Sequence, residues 1–228
     1  MKKADIIFWV IVVAIFLPFF VCPSVYEWYK QFNAEHGMIM SFFKFAILST
    51  LGEMIGLRIS KGEYYNKNFG LIPRMLVWGI LGVFISGAMF VFSHGIPQFM
   101  EYMGMNGAST LLENPDLSWG KVAVALAVSV AMNSFFAPVF MTFHKITDTH
   151  IGQYGGSLSS LVHPIKMREI ISNLNWSAQW GFVFKKTIPL FWYPAHTITF
   201  LLPSEFRVLF AALLGVVLGV LLAIAAKK

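Results

Sequence analysis

Four polar side chains stand inside stretches otherwise too apolar for water: Glu53, Asn133, His196 and Thr199. A carboxylate within a membrane span costs roughly 2.5–3.5 kcal/mol on insertion scales, so Glu53 needs water or a partner. It shares one helical face with Ser49, Gly52 and Gly56, close to a basic boundary at Arg58. Arg74 is the nearest partner by depth. Two chemistries follow: an ion pair fixing two helices, or a carboxylate lining a path and titrating protons. Lys44 lies about half a turn out of phase with Glu53 and is expected to snorkel outward. Asn133 precedes Phe135-Phe136-Ala137-Pro138, where its amide can bond across helices or meet backbone groups freed by Pro138. His196 and Thr199 share a face with Trp192, and both a structural and a solute-contacting histidine stay open there.

Catalytic constellations are missing from the sequence. There is no Walker glycine loop, nucleophile elbow or His-Glu-x-x-His run. His144-x3-Asp148-x-His150 has some metal-ligand character, but it falls where a helix end meets a flexible loop and reads as a polar, solvated terminus. Cys22 is the only cysteine, which excludes an internal disulfide and a multi-cysteine metal site. The chain is therefore not expected to be an enzyme, and no cofactor or metal is implied.

The elements that must position these groups are membrane spans. Hydrophobic residues make up 57% of the 228, and charged residues only 12%, against about 25% in soluble domains. Mean hydropathy is +0.68. Six segments qualify: Asp5–Val21, Ile39–Leu57, Leu71–Phe92, Val122–Phe143, Thr187–Leu202 and Phe206–Ala226. A helix crosses ~30 Å of hydrocarbon with about 20 residues. Thr187–Leu202 is short and bracketed by Pro189 and Pro203, so it either crosses as an interrupted helix or re-enters. The expected fold is an all-α integral membrane bundle of about six hydrophobic helices, the fifth short.

Charge sets the orientation. With the amino terminus inside, inner segments hold thirteen of the seventeen Lys and Arg, and outer segments hold only Lys30, Lys121 and Arg207. That asymmetry predicts both termini in the cytoplasm. Residues 1–25 read as an uncleaved signal anchor and 26–228 as a single bundle. Ser93–Gly120 is expected to be an external loop with a short helix at Pro97–Met103. Gly152, Gly155 and Gly156 are expected to make an internal loop flexible. From Pro164, Met167, Ile170, Ile171, Leu174 and Ala178 recur at helical spacing. They predict an amphipathic helix, either in the inner interface or packed on the bundle. The net charge of +6 sits beside apolar spans, so anionic headgroups of the inner face are the expected partner, not nucleic acid.

Small residues four apart form stripes at Ala123, Ala127 and Ala131, at Ala211, Gly215, Gly219 and Ala223, and at Gly52 and Gly56. In lipid such stripes mark helix interfaces. They serve either a compact monomer or a homo-oligomer assembled through the last helix, in which Val216, Val217 and Leu221 would face lipid.

The region from Tyr26 to Ala226 resembles the Mpv-seventeen/PMP-twenty-two family of peroxisomal and mitochondrial inner-membrane proteins. Gly52-Glu53 stands where the family has Gly-Asp. Arg74-x7-Gly82-x4-Gly87-Ala88 follows its Arg-x7-Gly-x4-Gly-Pro spacing, with Ala88 at the Pro, and Asn133-x2-Phe136-Ala137-Pro138 its Asp-Gln-x2-aromatic-Ala-Pro, with Met132 at the Asp and Asn133 at the Gln. Trp192-x3-His196-x2-Thr199-Phe200, then Leu202-Pro203-x3-Arg207, follows its Trp-Pro-x2-Gln-x2-Asn-Phe and Val-Pro-x3-Arg run, with His196 at the Gln and Thr199 at the Asn. The resemblance is to a distant, bacterial member, which implies a bacterial inner membrane, or an organelle membrane in a eukaryote. It implies passage of small solutes or ions, the solute unnamed, with Glu53, Asn133, His196 and Thr199 along a polar path. Arg74, Gly82, Gly87, Pro138, Trp192, Phe200, Pro203 and Arg207 would hold structure around it. The competing expectation is a non-conducting structural or assembly protein.

Overall fold

The computed structural model describes residues 2–225, so Met1, Ala226, Lys227 and Lys228 lie outside the described residues. It is an all-helical bundle, with no strand among the described residues. Among the described residues, five helices are long and apolar enough to cross a membrane. They are α1 (Lys3–Val21), α3 (Gly37–Lys61), α4 (Leu71–Tyr102), α6 (Trp119–Gln153) and α10 (Ser204–Ala225). Between them lie α2 (Pro23–Glu35), α5 (Ala108–Leu111), α7 (Met167–Asn173), α8 (Trp176–Ala178) and α9 (Tyr193–Leu201).

The short fifth segment is longer than its hydropathy suggests. α8, a π-helix over Gln179–Trp192 and α9 follow one another without a break. The resulting rod starts at Trp176, upstream of the exposed pair Lys185 and Lys186 that ends the apolar run. Hydropathy stops at the lysines, whereas backbone hydrogen bonding does not. Pro189 sits inside the π-helix, the wider winding typical of positions where the regular ladder is interrupted.

Other boundaries also move. α4 runs through Pro97 to Tyr102, so the separate short helix expected at Pro97–Met103 is the end of α4 itself. A proline forfeits one backbone bond, which a long, packed helix absorbs. α6 continues to Gln153. The amphipathic helix begins at Met167, not Pro164, and ends at Asn173. Asn175 then caps α8, its side chain accepting from the Ala178 amide, so Ala178 belongs to the next element. Gly152 lies within α6, and the glycine loop after it packs against the turn before α4. Gly156 (φ 73°) packs back to back with Gly70 (φ 70°), where a Cβ on Gly156 would lie 2.5 Å from the Gly70 nitrogen.

α3, α4, α6, α9 and α10 form a closed ring: α10 packs on α3, α3 on α4, α4 on α6, α6 on α9, and α9 on α10. Small residues set the closest approach. A Cβ on Gly52 would lie 2.8 Å from the Val216 backbone, and one on Gly219 would lie 3.4 Å from the Gly52 carbonyl oxygen. The α10 stripe thus serves α3, so the face proposed for a homo-oligomer is occupied within the chain. Val216 belongs to this contact, while Val217 and Leu221 are exposed as expected for lipid-facing residues. The Ala123, Ala127, Ala131 stripe is no interface core. Val124, Val128 and Met132, one residue on, are the buried face of α6, because neighbours fill the ring's interior with larger side chains.

α1 stands at the periphery, with only Phe8 buried. Asp5 ties it to α3 through Arg58, whose Nε donates to Oδ1 at 2.7 Å. Lys44 does not snorkel into water: it is buried, its Nζ donating to Asn33 Oδ1 of α2 and lying over the Tyr29 ring.

Candidate functional site

The two ends of the ring differ. One is the basic end, carrying Arg58, Lys61, Arg74 and Lys145. The other is plugged. There the loop after α4 folds back, and Ala108 (0% exposed) and Leu112 (4%) enter a core with Met89, Val124, Val128, Phe200 and Ala212. Arg207 fastens this plug: Nε donates to the Leu202 carbonyl at 2.9 Å and Nη2 to the Leu112 carbonyl at 3.2 Å, with Nη1 near Glu113. Pro203 makes the exposed turn into α10.

Between the plug and the basic end lies a cavity of about 320 Å³. Its wall on α6 runs from Met132 to His144, which at 1.5 Å per residue is roughly 18 Å of helix. α6 and α10 face each other across it, and Phe45, Trp78, Phe136, Phe140 and Trp192 give it an aromatic lining.

At the basic end the floor is a charged cluster from three helices. Arg74 Nη1 donates to Glu53 Oε2 at 2.6 Å and also contacts Asp148. Its Nε donates to the Phe69 carbonyl, and the guanidinium lies over the Phe69 ring. The Trp78 indole donates to Glu53 Oε1 at 3.0 Å, and His144 Nε2 lies 3.4 Å from the same oxygen. The Glu53–Arg74 pair expected from depth is present, and the structure adds Trp78, His144 and Asp148. The last two are i, i+4 on α6 and so share a face. Their proximity to Glu53 is not readable from sequence, because it depends on how α3, α4 and α6 pack.

Glu53, His144 and Asp148 each present a ligand atom within 4.8 Å of the others. Arg74 already bridges the two carboxylates, so the cation of this cluster is its own guanidinium. His150, two residues beyond Asp148, points away around α6. It is buried, its Nε2 paired with the Ser160 carbonyl at 2.9 Å, so it is neither solvated nor part of a metal set.

Near the plug end of the cavity, Asn133 and His196 meet across α6 and α9. Asn133 Nδ2 donates to the Ser129 carbonyl at 2.8 Å and to His196 Nδ1 at 3.1 Å. An amide nitrogen only donates, so Nδ1 accepts and the ring proton sits on Nε2. Both side chains line the cavity. Thr199 does not: it is fully buried, and its hydroxyl donates back to the Ala195 carbonyl within α9. Among the expected structural residues, Gly82 takes Phe45 against its bare Cα, Phe200 is fully buried, Pro138 is half-buried within α6, and Trp192 lines the cavity. Gly87 has open space where a Cβ would stand and so carries no packing role.

Taken together, the five long apolar helices and the space between them define an all-helical membrane bundle with a cavity lined by rings and polar groups. No family model, curated protein or solved structure matches the chain.

Proposed function

We propose that the bundle passes small solutes or ions across the membrane through the interior of its helical ring. The observation behind this is the cavity that gathers Glu53, Asn133 and His196 from three helices. Buried polar groups within a span are costly unless they serve packing or a path, and these three border empty space. The basic end would be cytoplasmic by the positive-inside rule, placing both termini inside and the plug outside. The plug then makes this a closed state, and opening requires Ala108 and Leu112 to leave the ring. The resemblance to the Mpv-seventeen/PMP-twenty-two family points the same way by position: Arg74 matches its motif, while Glu53, Asn133 and His196 stand where the family has other polar residues.

Purified protein in planar bilayers tests this. Current with a cation preference that falls in Glu53→Gln is the expected result. A scaffold role has its own support, since Arg74 ties α3, α4 and α6 together. A silent wild type, with Glu53→Gln changing only stability, would establish the scaffold and end the channel reading.

A further inference from the structure

The cavity contains hydrogen-bonding groups that the protein itself leaves unused. Ser and Thr inside helices usually bond back to a carbonyl one turn earlier. Ser41, Thr142 and Thr199 do so here. Ser49 does not: its hydroxyl is without a partner although the residue is 3% exposed, and it lines the cavity opposite Gly215. The buried indole N–H of Trp192, on the facing wall, also lacks an acceptor. A buried donor left without a partner is costly, and a ligand acceptor would recover that cost.

Charged groups gather at the cavity floor. Glu53 and Asp148 share the single guanidinium of Arg74. Among the described residues, the groups facing them are Trp78 of α4 and His144 of α6, with Leu218 and Gly219 of α10 nearby on the cavity wall. Two carboxylates and one guanidinium, with the His144 ring beside them, lie beneath the aromatic walls of the cavity. Aromatic faces attract cations, and quaternary ammonium groups are typically held this way.

We propose that the cavity is a binding site for a small amphiphilic organic cation. Its ammonium sits between the Glu53 cluster and the rings of Trp78 and Phe140, and an acceptor oxygen in its middle meets Ser49 and Trp192. The apolar remainder lies along Phe45 and Phe136. At about 320 Å³ the site is at the small end of ligand cavities. This names the solute class for the proposed passage and rests on the same cavity.

Benzoylcholine carries each feature, and 3,3-dimethylbutyl benzoate replaces its nitrogen with carbon at constant shape. Isothermal titration calorimetry on the detergent-purified full chain is expected to show saturable binding of benzoylcholine at least tenfold tighter than the neutral ester. Glu53→Gln should remove that preference. Ser49→Ala, which leaves the charged cluster intact, should weaken benzoylcholine severalfold without affecting phenylpentyl-trimethylammonium, which lacks the ester. Equal binding of the charged and neutral esters by the wild type, or no saturable binding of either, would overturn the proposal regardless of how the variants fold. Cation binding without bilayer current would retain this site and sink the passage. Current carried by inorganic ions without cation binding would do the reverse.

Discussion

The same helices make a closed end and an open one, and the contrast is set by side-chain size and charge. At the plugged end, Val124, Val128, Met89, Phe200, Ala108 and Leu112 interdigitate, and a short turn at Pro203 draws α9 and α10 together. Toward the basic end, large rings line the walls of α4 and α6 and a charged cluster occupies the floor. Rings held apart by buried ions cannot collapse onto one another, so space remains. Interdigitating apolar side chains seal one end, whereas rings and a charged cluster border the space toward the other.

Substitutions can break that contrast, and the largest effect is expected at the floor. Arg74→Met leaves Glu53 and Asp148 without their shared cation, and stranding a buried charge costs about 3–5 kcal/mol. Thermal unfolding in detergent should register this as a large drop. Glu53→Gln should cost clearly less, because Arg74 keeps Asp148 and the Phe69 carbonyl. Equal losses would mean that the three groups do not act as one cluster.

Next comes packing density. Phe200→Ala empties a filled core and should cost about 3 kcal/mol, in the range for buried Phe→Ala changes. Phe140→Ala only enlarges an existing cavity and should cost less than half of that. A reversed order in the same thermal assay would show that the cavity is filled as tightly as the plug.

Gly82→Ala would place a methyl about 2.8 Å from the Phe45 ring and should cost about 1–3 kcal/mol through overpacking. Gly87→Ala meets nothing within 4 Å and should be neutral or slightly stabilising. These two glycines carry equal weight in the sequence motif, so a matched effect would contradict the helix positions.

The smallest structural perturbation addresses function. Leu112→Ala trims the plug without touching the cavity. If the bundle conducts, this change should raise bilayer current relative to wild type. Unchanged current would place the gate elsewhere.

Much was legible along the chain, because a span in lipid needs only length and apolarity. Hydropathy alone located α1, α3, α4, α6 and α10, and depth alone paired Glu53 with Arg74. The small-residue face of α10 was readable too, since close helix approach in lipid demands missing side chains. Hydropathy could not see that Lys185 and Lys186 lie within a continuous helical rod, because a charge ends an apolar run without ending a helix. Nor could it tell Gly82 from Gly87, or show that Thr199 bonds within its own helix while the buried Ser49 hydroxyl finds no partner. Those distinctions depend on the rotation of each helix about its axis. Only the packing of α3, α4, α6, α9 and α10 fixes that rotation, and it brought His144, Asp148 and Trp78 to Glu53.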